Sequence, residues 1–189
     1  MIWALTPLIL ECMMRYASNE VYPMSDDRQV DPELMRQAMR QWATGVTVVT
    51  SQFRGEMHGM TVSSFTSISL EPALLMVSLQ LSSHTHTLIE QAGVFGVTIL
   101  HENQSAVSDR FAGRTGEDQD RFAGLAVYRL QTGVPLLSNG LVGFDCRVVA
   151  THLVSEHRLF FGEVLAVQVN QDGPPLIYYN RAYRSLKSL

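Results

Sequence analysis

Apolar residues recur at helical spacing in one early segment and mostly on alternate positions afterwards, so the chain reads as a helix followed by strands. Asp31 suits an N-cap and Pro32 the first helical position. Leu34, Met35, Ala38, Met39 and Trp42 share one face until Gly45 stops the run, which predicts a helix laid on the core. Val46 to Ser51 predicts a strand, and Arg54 to Gly59, with two glycines, a hairpin turn. Met60 to Ile68 and Ala73 to Gln80 predict two more strands, separated at Pro72. Thr85 to Gln91 and Glu102 to Phe111 predict helices on either side of a strand at Val94 to Leu100. Gly113 to Arg121 reads as a charged surface loop. Leu141 to Ala150 alternates: Val142, Phe144, Cys146, Val148 and Ala150 face one way, Asp145 and Arg147 the other. That is the pattern of a half-buried antiparallel strand. A turn at Leu153 to Glu156, a long strand at Leu159 to Asn170, a turn at Asp172 to Pro175 and a short strand at Leu176 to Tyr179 complete the reading.

Roughly seven strands with three or four helices predict a mainly β protein with flanking helices, its sheet closed or nearly closed into a barrel. A doubly wound α/β fold needs a regular strand–helix alternation that this chain lacks. The length of 189 residues suits one domain, assigned to residues 28–189, with residues 1–27 as an N-terminal extension. Met1 to Leu10 is apolar around Pro7, and no arginine precedes Arg15, so a secretory signal is not read there. Two readings of the extension stay open. One is an upstream start, with the true initiator at Met13, Met14 or Met24; the other is a short arm that packs on a partner subunit.

Charge narrows the function. The net charge is −4, with 46% apolar and 17% charged residues, so no basic stripe exists for nucleic acid. Lys187 is the sole lysine, which removes an internal Schiff-base lysine and the P-loop lysine. Cys12 and Cys146 are too few for a disulfide framework or a closed zinc site, which fits a cytoplasmic protein without a metal centre. No two glycines are spaced as G-x-G, so the Rossmann fingerprint is absent.

Two polar clusters remain as candidate chemistry. Six of the eleven residues from Gly59 to Ser69 carry hydroxyls; on one strand, Thr61, Ser63, Phe65, Ser67 and Ser69 would share a face. Such a strand can offer hydroxyls and backbone N–H groups to a flat polar ligand, or simply face water. Ser82, Ser83 and Thr85 stand where a strand ends and a helix begins, where first-turn N–H groups and the helix dipole favour an anion. The alternative there is a plain N-cap by Ser82 or Ser83. His84 and His86 lack a third metal ligand nearby, and Cys146 reads as a buried small hydrophobe.

Several segments in order resemble one family. They are Trp42 to Thr50, Gly59 to Phe65 with Ser69 to Pro72, Ser83-His84-Thr85, Phe95 to Leu100 with Gln104, Phe144 to Val148, Glu156-His157 with Phe160 to Val164, and Pro175 to Tyr179 with Tyr183. This series resembles the flavin reductase-like, FMN-binding split-barrel family, and within it the NAD(P)H:flavin reductase components of two-component monooxygenases. The resemblance implies a split β-barrel that works as a homodimer, takes FMN or FAD, and accepts electrons from NADH or NADPH. It implies that Thr61, Val62, Ser63 and Ser64 bond the isoalloxazine edge and that Ser82, Ser83 and Thr85 hold the phosphate. It places Thr98 on the flavin side, His157 near the nicotinamide, and Arg181 and Tyr183 beside the same pocket. The chain departs from the family at Thr98, where Asn is frequent, and at Glu156, where Asp is frequent.

The activity so implied is hydride transfer from NAD(P)H to flavin and delivery of reduced flavin to a separate oxygenase. A tight FMN electron carrier resembling flavoredoxin is a second reading. A split barrel that handles haem or pyridoxine phosphate is a third, and the lack of a basic phosphate site counts against it.

Overall fold

The computed structural model describes residues 30–114, 116 and 120–186. The N-terminal extension through residue 27, Cys12, Lys187 and part of the loop from Gly113 to Arg121 therefore lie outside the described residues. In chain order the elements are α1 (Pro32–Met39), β1 (Thr44–Gly45), β2 (Thr47–Phe53), β3 (Glu56–Val62), β4 (Phe65–Leu70) and β5 (Ala73–Gln80). Then come α2 (His84–Ala92), β6 (Val94–Ile99), α3 (Ser105–Phe111), β7 (Val127–Tyr128), β8 (Leu136–Leu137), β9 (Val142–Val154), β10 (His157–Val169), β11 (Ile177–Tyr179) and β12 (Ala182–Arg184).

Seven strands make one antiparallel sheet in the order β3-β2-β6-β9-β10-β5-β4. Val62, Val49, Val97, Cys146, Phe160 and Val77 bring six of these strands into one buried cluster, and Phe65 of β4 packs against it. The sheet thus wraps its own core. It does not close: its edge strands β3 and β4 are consecutive in the chain, separated by Ser63 and Ser64, and no ladder joins them. The expected barrel is therefore split, and the split falls inside the hydroxyl-rich segment.

That break corrects the single strand expected over Met60 to Ile68. Ser64 turns away to β5, its hydroxyl donating to the Ser78 carbonyl at 2.7 Å while its own carbonyl accepts from the Ser78 N–H at 3.1 Å. A register shift between Ser67 and Ser69 adds a bulge, so the hydroxyls from Thr61 to Ser69 do not share one face. The turn expected over Arg54 to Gly59 is shorter as well. Arg54 and Gly55, both at positive φ, make a two-residue hairpin, and Glu56 already pairs with Phe53.

β2 is buried on both faces from Thr47 to Ser51, its Thr47, Thr50 and Ser51 hydroxyls satisfied by the carbonyls of Val62, Pro135 and Val94. Val49 enters the main cluster, and Val48 packs with Leu100, Phe111, Phe122 and Leu176 on the other side. β9 and β10, thirteen residues each, form a hairpin turned at Ser155 and Glu156, so Leu153 and Val154 of the expected turn belong to β9. On β9 the alternation misplaces two residues. Ala150 is exposed, and Asp145 is fully buried, its carboxylate accepting from the Thr132 N–H at 2.8 Å and from the Thr132 hydroxyl. A hydrogen-bonded carboxylate can occupy an interior position that polarity alone assigns to solvent.

The first helix also departs from expectation. Asp31 caps it, accepting from the Glu33 N–H at 2.9 Å, but no residue of α1 is buried. The stripe of Leu34, Met35, Met39 and Trp42 is exposed rather than laid on the core. α1 touches the body through its C-terminal end, where Asn180 donates its N–H to the Arg40 carbonyl at 3.2 Å. The third helix is shorter than expected, because Gln104 ties back to the His101 N–H at 2.8 Å and α3 begins only at Ser105. Among the described residues no helix is long and apolar enough to cross a membrane.

Candidate functional site

A cleft of about 730 Å³ opens beside β3 and the N-terminus of α2. Thr61 and Met60 line it from β3, Ser82, Ser83 and Thr85 from the β5–α2 junction, and Phe111 and Arg121 from the far wall. Thr61 of the hydroxyl-rich segment and the Ser82 to Thr85 junction thus meet in one concavity of ligand-binding size, within the roughly 300–1,000 Å³ common for such sites, while Ser63 and Ser64 do not line it. Thr61 and Ser63 also line an adjoining groove with Tyr183, Tyr178, Ser108 and Arg114.

Local folding explains how the walls are held. Gly59 on β3 gives α3 its approach: a Cβ there would stand 2.9 Å from the Phe111 ring and from the Thr50 methyl. Thr61 donates its hydroxyl to the Ser108 carbonyl at 2.6 Å, tying β3 to α3. Phe122 meets Phe111 edge to face with ring centroids 5.1 Å apart. That contact sets Arg121, whose guanidinium donates to the Gly59 and Phe111 carbonyls at 2.9 and 3.0 Å. Sequence reading missed Arg121 because a loop arginine carries no periodic signal; its neighbour Phe122 was the only hint.

At the β5–α2 junction Ser83 is the plain N-cap of α2. The Ser83 hydroxyl accepts from the His86 N–H at 3.3 Å and donates to the Gln80 carbonyl at 2.9 Å, so it is spoken for by the fold. Thr85 is fully buried and its hydroxyl lies 2.8 Å from Nδ1 of His58. Ser82 is exposed at the mouth. What the junction offers a ligand is mainly backbone N–H groups of the first helical turn together with Ser82.

Two histidines complete the cleft. His84 and His58 stand edge to face at 4.8 Å, and His84 Nε2 lies 2.7 Å from Glu56 Oε1. Burial, then the positive charge of Arg121, lower the His58 pKa to about 4, so its ring is neutral at pH 7. His86 does not accompany His84. It points inward against the Phe160 ring at 5.5 Å, and burial lowers its pKa too. Among the described residues no three His, Cys, Asp or Glu side chains gather to hold a metal ion.

Because the folded pKa of His58 lies below its ordinary 6.5, the neutral ring favours the fold above about pH 6.5. That contribution is lost as the pH falls toward 4, where the folded ring also charges. The melting temperature of the wild type is expected to fall over this window, and His58→Gln to flatten the fall. An unchanged slope in the variant would remove His58 as its source; His86 leaves a residual slope of the same sign.

The remaining expected site residues are scattered. Val62 is a core side chain, so only its backbone can face a ligand. Thr98 is fully buried, accepts from the Leu137 N–H at 3.1 Å and does not line the cleft. Tyr183 lines the adjoining groove, its hydroxyl 2.7 Å from Asp109 Oδ1 and its pKa raised mainly by burial. Arg181 does not join it there but faces a separate groove against α1. His157 is exposed at the first position of β10, opposite Gln80, and the Leu81 N–H beside it donates to the Glu156 carbonyl at 2.9 Å. It therefore neighbours the loop of Ser82 without lining the cleft. Burial pushes the Cys146 thiol up to about 12, which leaves it a packing residue.

Comparison with known proteins agrees with this arrangement. A model of the flavin reductase like domain matches residues 39–187. An NADH-dependent flavin reductase from a Rhodococcus species is 40% identical, over 86% of this chain and 91% of that protein. The NADH-dependent flavin reductase StyB of Pseudomonas fluorescens is 38% identical, over 80% of this chain and 89% of its own. The structure of flavin reductase PheA2 superposes with a TM-score of 0.77 at 33% identity, covering 84% of this chain and all of that one. The styrene monooxygenase flavin reductase of Pseudomonas putida S12 superposes with a TM-score of 0.73 at 37% identity, covering 82% and 98%. With the split sheet, the cleft beside β3 and a family match over most of its length, the chain belongs to the flavin reductase-like family.

Proposed function

We propose that the protein is an NADH-dependent flavin reductase that supplies reduced FMN or FAD to a separate monooxygenase component. The observation that carries this reading is the meeting of Thr61 with Ser82, Ser83 and Thr85 around one cleft. Its donors suit a flavin: the open edge of β3 beside Thr61 for a flat polar ring, and helix N–H groups, Ser82 and the Arg121 guanidinium for a phosphate. When bound, the flavin supplies the redox chemistry, taking a hydride from the nicotinamide and carrying electrons away. The chain binds, orients and shields. The backbone of Thr61 and Val62 would hold the ring edge, with Ser63 from the adjoining groove, because the Thr61 and Ser64 hydroxyls are engaged by the Ser108 and Ser78 carbonyls. Backbone N–H groups there favour negative charge on the ring. Met57, Met60 and Phe111 supply the apolar part of the lining. The protein needs no triad or carboxylate pair for this work, and none was read in the sequence.

The test is a steady-state assay of NADH and NADPH oxidation with FMN, FAD or riboflavin added singly. Oxidation that saturates with added flavin supports the reductase. Protein that purifies yellow and oxidises nothing would instead be the electron carrier. His157, beside the Ser82 loop, is assigned to the nicotinamide side. His157→Ala is expected to lower turnover about tenfold or more, as loss of a positioned polar group does, while flavin affinity stays within about twofold. Loss of flavin with unchanged turnover per bound flavin would overturn that role.

The enzyme is placed in the cytoplasm and read as a homodimer. Exposed Val149, Leu153 and Val154 of β9 give the tip half of the long hairpin apolar positions that a second copy would cover. Light scattering on the purified chain decides: a monomer at micromolar concentration rejects the dimer.

A further inference from the structure

A second groove, of about 300 Å³, lies between α1 and the β11–β12 turn. Its lining is unusual for a chain of net charge −4. Arg36, Arg40 and Arg181 surround it, with Trp42 and Tyr178 as aromatic walls. Glu33 pairs with both Arg36 and Arg40, at 2.9 and 3.2 Å, so two of the three guanidiniums share one carboxylate. The Arg40 Nε is buried and makes no hydrogen bond within the described residues. Trp42 is 67% exposed although it sits in an ordered corner, where Tyr179 donates its hydroxyl to the Gln41 side chain at 3.1 Å.

The turn itself is telling. Asn180 and Arg181 have φ of 47° and 61°. The comparable β2–β3 turn places Gly55 at its second position, where left-handed backbone costs nothing. Here a long arginine is held in that conformation, which puts its guanidinium into the groove at a backbone cost. The groove shares walls with two others near Ser63. Tyr178 lines both it and the groove of Thr61, Ser63 and Tyr183, and Trp42 lines both it and a recess that holds Ser63 and Phe65.

We propose that this groove binds the adenosine diphosphate moiety of a dinucleotide, with Arg36, Arg40 and Arg181 on its phosphates and Trp42 stacked on the adenine. Guanidiniums grip phosphate oxygens in pairs, and an exposed indole takes any purine face. The assignment rests on the reductase reading, in which the nicotinamide half of NADH would reach the flavin cleft. FAD carries the same moiety, and the experiment separates the two.

The test uses the full chain and ADP itself, titrated calorimetrically and by tryptophan fluorescence. Expected is stoichiometric binding that quenches Trp42, weakened about tenfold or more in Arg36→Gln/Arg181→Gln, in line with the loss of charge-assisted contacts, and partly restored in Arg36→Lys/Arg181→Lys. Both side chains project from the surface, and a thermal melt verifies the fold of each variant. In steady state the Gln variant is expected to raise the KM of one dinucleotide about tenfold while the KM of FMN stays within twofold. If the raised KM belongs to NADH, the electron donor occupies the groove; if it belongs to FAD, the flavin does. Absence of ADP binding, or binding that the Gln variant leaves unchanged, overturns the proposal. A wild type that binds ADP but oxidises neither NADH nor NADPH with any flavin would retain the groove and reject the reductase.

Discussion

Arg121→Ala is expected to weaken FMN binding about 30-fold while changing riboflavin binding only a few-fold. The argument is electrostatic. Arg121 stands in the same cleft as Ser82, Ser83 and Thr85, on the opposite wall. Of the hydroxyls around the expected phosphate position, those of Ser83 and Thr85 already serve the fold. His58 is neutral at pH 7, its pKa lowered to about 4. Among the described residues lining the cleft Arg121 is the one arginine, and a hydrogen bond to a charged group contributes roughly 1.5–3 kcal/mol. The upper half of that range is roughly 30-fold or more in affinity. Riboflavin lacks the phosphate, so it reports the cost of disturbing the ring site alone. That cost is not zero, because the same guanidinium bonds the Gly59 and Phe111 carbonyls and so joins β3 to the end of α3. Arg121→Lys keeps the charge but loses the paired geometry and should fall between the two. Equal loss for FMN and riboflavin would mean that Arg121 acts only as a strut, and that helix N–H groups and Ser82 hold the phosphate unaided.

Why the two polar clusters could be paired from sequence, and Arg121 could not, follows from what each kind of residue encodes. A run such as Thr61 to Ser69 has more hydroxyls than a solvated strand needs, and Ser82 to Thr85 sits where strand gives way to helix. Both are local signals. Their meeting in one cleft is a product of topology, since the helix that follows β5 packs against β2 and β3. Arg121 arrives from a connection whose path is fixed by the Phe111–Phe122 contact, which no local pattern announces. The same limit explains Asp145. Alternation on β9 assigned it outward, but Thr132, thirteen residues earlier in a loop, supplies the N–H and hydroxyl that let it stay inside. For α1 the failure ran the other way. Its stripe was read correctly as amphipathic, and its apolar face still finds no core among the described residues. Amphipathic periodicity says that a face wants cover; it does not say that the same chain provides it.

Gly162→Val is expected to lower stability by about 3 kcal/mol, the upper part of the range for overpacking a filled core. For a chain of this size that is a fall of roughly 6–12 °C in melting temperature. Gly162 lies on β10 next to a register shift against β9 and beside the main cluster. A Cβ at this position would stand 2.4 and 2.6 Å from the Phe95 ring and 3.0 Å from the Cys146 Cβ. Phe95 and Cys146 are fully buried, so neither can swing into solvent to make room. The glycine backbone is not in the left-handed region, so the whole cost is steric. This makes the prediction separable by a second substitution. Phe95→Leu removes the atoms that the new side chain would strike, and the double variant Gly162→Ala/Phe95→Leu should recover part of what the two singles lose, a coupling of about 1 kcal/mol or more. Strict additivity would show that the ring is not what Gly162 accommodates. The consequence reaches the site, because β10 pairs along β5 up to His157 and Gln80, and the Ser82 loop leaves from the end of that ladder. A bulky residue at 162 that forces β10 away from Phe95 displaces the ladder on which the loop hangs. The variant is therefore expected to raise the KM for FMN as well as lowering the melting temperature.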